Sequence, residues 1–413
     1  MLQLLFSGFF HDGALGVVRP GGSLEIFGQG EPEVVIALHD RWAEWELALN
    51  PDLKLGELYM DGRLTVEKGD IAGVLALLMR NLGAIQPRGL HKLLRKFRTL
   101  KRAIDQYNPA SLAKEHVAHH YDLSGKLYEL FLDADRQYSC AYFSVPGETL
   151  EEAQIGKKRH IAAKLHLHKP GLKVLDIGCG WGGLALDMAR DCGADVLGIT
   201  LSEEQIAVAR ERAQKARLSA NCRFEMVDYR ALRGAYDRIV SVGMFEHVGA
   251  AYYGTFFRQA RALLAEDGVM LLHTIGRVDG PGSTNSWIAK YIFPGGYAPA
   301  LSEIVTAVEK AGLIITDVEV LRLHYAETLK EWRRRFMANR QEAVALYDER
   351  FCRMWEFYLA GSEMAFRHDG EVVFQVQIVR RQDAVPLTRD YMVEDERTMP
   401  FAGTERMPLH IVQ

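Results

Sequence analysis

The stretch from Lys173 to Gln205, KVLDIGCGWGGLALDMARDCGADVLGITLSEEQ, restricts the fold more than any other part of this 413-residue chain. Val174, Leu175 and Ile177 form a short apolar run, which is broken by a turn carrying Gly178, Gly180, Gly182 and Gly183. Leu184, Leu186, Met188 and Ala189 then fall at helical spacing, and a second apolar run follows at 196–199. Strand, tight turn, helix and strand in that order make a βαβ crossover, which is right-handed in nearly all cases and sits in a mostly parallel sheet. The expected fold class is α/β, a doubly wound, mostly parallel sheet.

Glycines at such a turn let a ligand approach bare backbone, and the N–H groups at the helix start favour a polar or anionic group. Residues 178–183, GCGWGG, also fit the G-x-G-x-x-G dinucleotide fingerprint, which alone is weak evidence. Asp176 lies inside the strand, two residues before the first glycine, where a carboxylate can meet a cation. It is badly placed for an anionic pyrophosphate. A dinucleotide site would also want an acidic residue about 20 positions on to hold the ribose, yet the second strand ends at Thr200. A ligand with a positive centre, such as S-adenosylmethionine, fits these residues better than NAD.

Six segments carry a family resemblance: YDLS (121–124), QYSCAYF (137–143), VLDIGCGWGGLA (174–185), GITLSEEQ (198–205), SVGMFEHVG (241–249) and LLHTIG (271–276). Together they resemble the cyclopropane-fatty-acyl-phospholipid synthase family, in the family's order, from about Asn108 to about Arg381. The resemblance implies a class I methyltransferase of Rossmann-like fold. It also implies the activity: S-adenosylmethionine adds a methylene across a cis double bond of a membrane lipid. By the same resemblance Tyr121 and Ser124 contact the cofactor, and Thr200, Leu201 and Gln205 lie near its ribose. Asp228 and Tyr229, at the end of the third strand, would flank the adenine. In the family the base is a bound bicarbonate, which matches Cys140, Glu246, His273, Ile275 and Tyr325 here.

The rest of the chain sets bounds on these expectations. At 48% hydrophobic and 25% charged residues, 413 residues suit a globular protein of two domains. A net charge of −4 argues against a nucleic-acid binder. Five cysteines, scattered without paired spacing, argue against a disulfide framework or a zinc site and fit a reducing cytoplasm. The start, MLQLLFSGFFHDG, lacks a basic leader, and no stretch has the roughly 18 apolar residues of a membrane span. The expected location is cytoplasmic, peripherally on the inner face of the membrane, and the resemblance adds a homodimer.

Residues 1–105 read as a small N-terminal α+β domain. Short strands at 14–18 and 23–27 flank Pro20-Gly21-Gly22, a hairpin signal, with a third at 34–38. Trp42, Trp45, Leu47, Leu49, Leu55 and Tyr59 are expected in its core, and 71–82 in a buried helix. At 87–103, PRGLHKLLRKFRTLKRA sets five apolar residues on one helical face among seven basic ones, a pattern that can lie on an anionic lipid surface or simply form a solvated linker helix. Asn108-Pro109 marks the boundary.

Residues 106–413 read as the catalytic domain. His116, His119 and His120 are expected on a helix surface, since no ligand set accompanies them. Ser202 and Gln205 also read as a capping box at the start of a helix, a role Gln205 can share with ribose contact. Strands at 224–227, 237–242 and 269–273, a helix at 252–265 stopped by Asp267-Gly268, and a final strand near 373–378 complete the sheet. Asp176, Thr200, Glu246 and His273 then converge at the carboxyl edge of the strands, where open parallel sheets bind ligands. The carbocation expected in this chemistry needs a dry, aromatic pocket, for which Tyr142, Phe143, Trp287, Tyr291, Phe293 and Tyr297 are candidates. Helical spacing covers 329–366, and the tail after Asp383 is expected to be loose or docked. Methylation without ring closure is the nearest alternative; a Rossmann oxidoreductase and a non-catalytic lipid binder are the more distant ones.

Overall fold

The structure, a computed structural model, describes residues 2–82, 124–399 and 401. The basic segment 87–103, His116, His119, His120 and Tyr121 lie outside the described residues. The chain divides into two compact units. One comprises Met1–Asp105, Gly282–Pro294 and Tyr325–Glu371; the other comprises Gln106–Pro281, Gly295–His324 and Val372–Gln413.

The first unit is built on strands β1 (Ala14–Val18), β2 (Leu24–Gly28), β3 (Val34–Leu38) and β4 (Leu64–Lys68), ordered β2-β1-β3-β4. The hairpin reads as expected, with Val18 opposite Leu24 across the Pro20-Gly21-Gly22 turn. The sequence missed β4 because, of LTVEK, only Leu64 is buried, so no alternation is visible. Leu15, Val17, Ile36 and Leu38 form the buried face of the sheet, and the helix Ile71–Leu82 buries Val74 and Leu77.

Two expectations fail here. Trp42, Trp45 and Leu49 are not core residues. The helix Arg41–Leu49 buries Ala43 and Leu47 and leaves those three 75%, 50% and 72% exposed. The stretches 282–294 and 325–371 fold with the N-terminal residues instead of the sheet they interrupt. Trp287 lies over Gly56, its indole N–H 3.3 Å from the Met60 sulfur, and the Tyr59 hydroxyl donates to Glu356 at 3.0 Å. Neither contact has a local sequence signal.

The second unit holds a seven-stranded sheet of β5 (Lys173–Ile177), β6 (Asp195–Thr200), β7 (Cys222–Met226), β8 (Tyr236–Val242), β9 (Leu264–Arg277), β10 (Ile314–Leu321) and β11 (Glu371–Val379). Its order is β10-β11-β9-β8-β5-β6-β7, with β7, β6, β5, β8 and β9 parallel to one another and β10 antiparallel to β11. This is the expected doubly wound sheet. Both faces are covered: Leu175, Ile177, Leu197 and Ile199 pack towards the helix Tyr253–Leu263, while Val174 and Val196 pack towards the helix Gly183–Asp191. β10 was not anticipated, because its buried and part-buried positions do not alternate cleanly.

β9 is longer than its sequence suggests. The helix Tyr253–Leu263 ends before Asp267-Gly268, and the strand starts at Leu264, absorbs that pair in an irregular register between Tyr236 and Arg238, and runs past His273 to Arg277. His273 therefore lies within a strand, opposite Val242 at the end of β8. The tail docks through the helix Asp390–Thr398, with Tyr391, Met392 and Phe401 buried.

Candidate active site

The glycine turn after β5 takes its shape from left-handed backbone. Gly178, Gly180 and Gly182 have φ of +85°, +53° and +84°. A side chain at Gly178 would also collide with Met244, at 2.7 Å. The Gly178 and Cys179 N–H groups both donate to the Ile199 carbonyl, which ties the turn to β6.

A pocket opens at this turn along the carboxyl edge of the sheet. The turn contributes Gly178, Cys179, Gly180 and Trp181, and β6 with its exit contributes Thr200, Leu201 and Gln205. Asp228, Tyr229 and Arg230 follow from the β7 exit, and Met244, His247 and Val248 from the β8 exit. Arg136, Gln137, Tyr138 and Ser139 form the remaining wall.

Local chemistry sets each of these positions. Ser202 caps the helix Glu203–Lys215 by accepting from the Gln205 N–H, but the Gln205 side chain does not complete the box. Its Oε1 accepts instead from the Thr200 hydroxyl at 2.8 Å, because both groups are buried and each satisfies the other. Asp228 accepts from the Arg230 N–H at 2.9 Å and from the Arg230 guanidinium, which lies over the Tyr229 ring.

Asp176, Ser124 and Tyr325 stand away from the pocket wall, and Cys140, Glu246, His273 and Ile275 do not line it either. Asp176 is buried on β5 beneath the turn; burial pushes its carboxyl up to about 7, against the pull of Lys157. Ser124 caps the helix Gly125–Glu129, accepting from the Lys126 N–H. Tyr325 belongs to the first unit, where its ring packs on Trp332 and Phe366.

Glu246 lies just past the end of β8, and His273 and Ile275 lie on β9. Glu246 lies on the 3-10 turn Phe245–His247, and its Oε1 accepts from the Ile275 N–H at 2.6 Å, while Oε2 is buried without a hydrogen-bond partner. Burial pushes this carboxyl up to about 7. His273 is buried and held down at about 3 by burial, with the charges of Lys157 and Lys164 acting in the same direction, so the ring is neutral. The Gln375 amide meets its Nδ1 at 3.1 Å, which fixes the direction of the ring. Cys140 is buried next to the Gln137–Ser139 wall, its thiol donating to the Ala141 carbonyl.

The six aromatic candidates do not line this pocket. Tyr142 is stacked between His160 and His324, Tyr297 donates to Glu303, and Trp287, Tyr291 and Phe293 belong to the first unit. Sequence reasoning also passed over Lys157 and Gln154, which hold the fourth wall from the helix Leu150–Lys164. That helix mixes polar and apolar residues around its circumference and is buried almost throughout, so no apolar stripe marks it.

Residues 110–376 match the family model described as mycolic acid cyclopropane synthetase. The chain belongs to that family. Its members are S-adenosylmethionine-dependent methyltransferases. Within the family, the chain is 42% identical over 261 residues to a cyclopropane-fatty-acyl-phospholipid synthase of Escherichia coli, covering 63% of this chain and 66% of that protein. It is 36% identical over 337 residues to the tuberculostearic acid methyltransferase UfaA1 of Mycobacterium tuberculosis, covering 79% of this chain and 78% of that one. The crystal structure of mycolic acid cyclopropane synthase CmaA1 complexed with SAH and CTAB superposes with a TM-score of 0.60 at 36% identity, over 66% of this chain and 99% of that one.

Proposed function

We propose that the protein is a cyclopropane-fatty-acyl-phospholipid synthase. It transfers a methylene carbon from S-adenosylmethionine to the cis double bond of an unsaturated phospholipid acyl chain, through a carbocation that closes on proton loss. The observation that carries this reading is the buried, unpartnered Oε2 of Glu246, on a turn whose Met244, His247 and Val248 line the cofactor pocket. A carboxyl oxygen left without a partner in a dry site is suited to meet a proton or a small anion.

An alkene is a weak nucleophile and a sulfonium methyl a strong electrophile, so alignment of the two supplies much of the acceleration. The pocket aligns the cofactor by its glycine turn and by the Thr200–Gln205 pair. The chain's groups fit a bound bicarbonate. Neutral His273 offers a ring N–H, and Glu246 a proton below about pH 7. The Ile275 N–H is engaged by Glu246 and orients that carboxyl. Of the expected set, Glu246 and His273 would hold the anion, which would supply a basic oxygen when bound. Contact with a membrane surface belongs to the same proposal. Trp42, Trp45 and Leu49 share one exposed helical face, the kind that settles at a lipid interface, and no described helix is long and apolar enough to span a bilayer.

The test is mass spectrometry of acyl chains after incubation with S-adenosylmethionine and vesicles of cis-monounsaturated phospholipid. A gain of one carbon and two hydrogens that resists mild hydrogenation is expected. The same gain in a chain that still takes up hydrogen means methylation without closure, as the likeness to the tuberculostearic acid methyltransferase would favour. No gain overturns the proposal.

A further inference from the structure

Residues 133–140 form no helix or strand, yet they supply the Arg136–Ser139 wall of the cofactor pocket and lead into Cys140. Side chains fix this segment in place. Asp133 accepts from the Gln137 and Asp135 N–H groups, and Gln154 Nε2 donates to the Gln137 and Ser139 carbonyls. Lys157, fully buried on the same face of the helix Leu150–Lys164, donates from Nζ to Gln137 Oε1 at 2.6 Å and to Ser139 Oγ at 2.9 Å.

The Gln137 amide has one orientation only. Its Oε1 must accept from the ammonium, and its Nε2 donates to Asp135 Oδ2 at 2.9 Å. Asp135 is gripped in turn by Lys158 at 2.8 Å and by Arg212. This pair rests on the glycine turn itself: a Cβ at Gly183 would lie 2.4 Å from Gln137 Nε2 and 2.2 Å from Asp135 Oδ2. A buried ammonium could be replaced by an apolar side chain at little cost if packing were its only task. Here both hydrogen bonds go to side chains that line the pocket.

We infer that Lys157 is a positioning residue for the cofactor site: its ammonium locks Gln137 and Ser139 against the glycine turn and so sets the fourth wall of the S-adenosylmethionine pocket. Burial brings its pKa down to about 8, with Asp133 opposing, so the ammonium prevails at neutral pH.

The test is calorimetric titration of the full chain with S-adenosylhomocysteine. Lys157→Met keeps the length and drops the charge; its affinity is expected to fall about tenfold, the size of a lost charge-assisted hydrogen bond. Ser139→Ala removes one acceptor and should weaken binding less. The double variant should bind no worse than Lys157→Met, because both act through one contact; full additivity overturns the inference. Lys157→Met binding as the wild type does also overturns it. If Lys157→Met fails to fold, Ser139→Ala carries the decision, and its wild-type affinity overturns the inference. The inference rests on the pocket being the cofactor site. Failure of the wild type to bind S-adenosylhomocysteine would sink that reading, whereas equal binding by wild type and variant sinks this one alone.

Discussion

The Ile275 N–H donates to Glu246 Oε1 at 2.6 Å, joining the turn after β8 to β9, and Glu246 Oε2 is left buried without a partner. One oxygen fixes the carboxyl's direction and the other is available for chemistry. Replacing Glu246 with Gln keeps the first contact and abolishes proton exchange at the second. Turnover is expected to fall about 100-fold or more. Affinity for S-adenosylhomocysteine, read by calorimetry, should stay within about threefold, because the change spares every pocket-lining residue. Retained turnover would rule out a role for the carboxyl in proton transfer.

The same substitution has a signature in stability. Burial raises Glu246 from 4.5 to about 7, so the folded chain holds a proton that the unfolded chain has released between those values. Stability is therefore lost as pH rises through that window, and above it the buried carboxylate is a full penalty. The Tm gain of Glu246→Gln over wild type should be larger at pH 8 than at pH 5, roughly either side of that window. An equal gain at both would contradict the raised pKa.

His273 works in the opposite direction. Burial, helped by Lys157 and Lys164, holds it at about 3 against 6.5, so the unfolded chain takes up a proton that the folded chain refuses. Stability falls as pH drops through that range. His273→Gln should flatten the acid side of the Tm profile, and a profile as steep as the wild type's would show that the ring is not held neutral.

Thr200→Val leaves Gln205 Oε1 buried without its donor, with Ser202 also losing the Thr200 oxygen that accepts its N–H. Cofactor affinity should fall about tenfold, the cost of an unsatisfied buried acceptor beside the ligand. Calorimetry with S-adenosylhomocysteine checks it; unchanged affinity would mean that the pair does not orient the cofactor.

Trp42→Ser with Trp45→Ser removes the two largest exposed rings of the first unit without touching buried Ala43 or Leu47. Co-sedimentation with anionic phospholipid vesicles is expected to drop about tenfold or more, since interfacial binding scales with apolar area inserted. Sedimentation equal to wild type would remove this face from the membrane reading.

The β5–β6 crossover was legible because its signals are local: apolar runs of strand length, a glycine turn, and helical spacing between them. Thr200, Gln205, Asp228 and Tyr229 fell on strand exits and do line the pocket. The face chosen by Trp42, Trp45 and Leu49 was not legible, since apolar spacing alone cannot tell a core stripe from an exposed one. Lys157 was hidden for a different reason. A lysine in EEAQIGKKRH reads as solvated, and only tertiary packing reveals that it is sealed beside Gln137 and Ser139.

In the sheet of the second unit, β11 lies between β9 and β10, yet residues 325–371, which fold in the first unit, separate β10 from most of β11 in the chain. During synthesis β9 and β10 leave the ribosome long before the strand that joins them. Both edges must wait unpaired while the intervening helices are made, which is the arrangement that makes nascent chains prone to mispairing. A nonsense mutation anywhere before residue 371 would therefore remove the strand that joins β9 to β10, and a fragment cut at a sequence boundary near residue 105 would carry residues 282–294 and 325–371 of one unit without the rest of it.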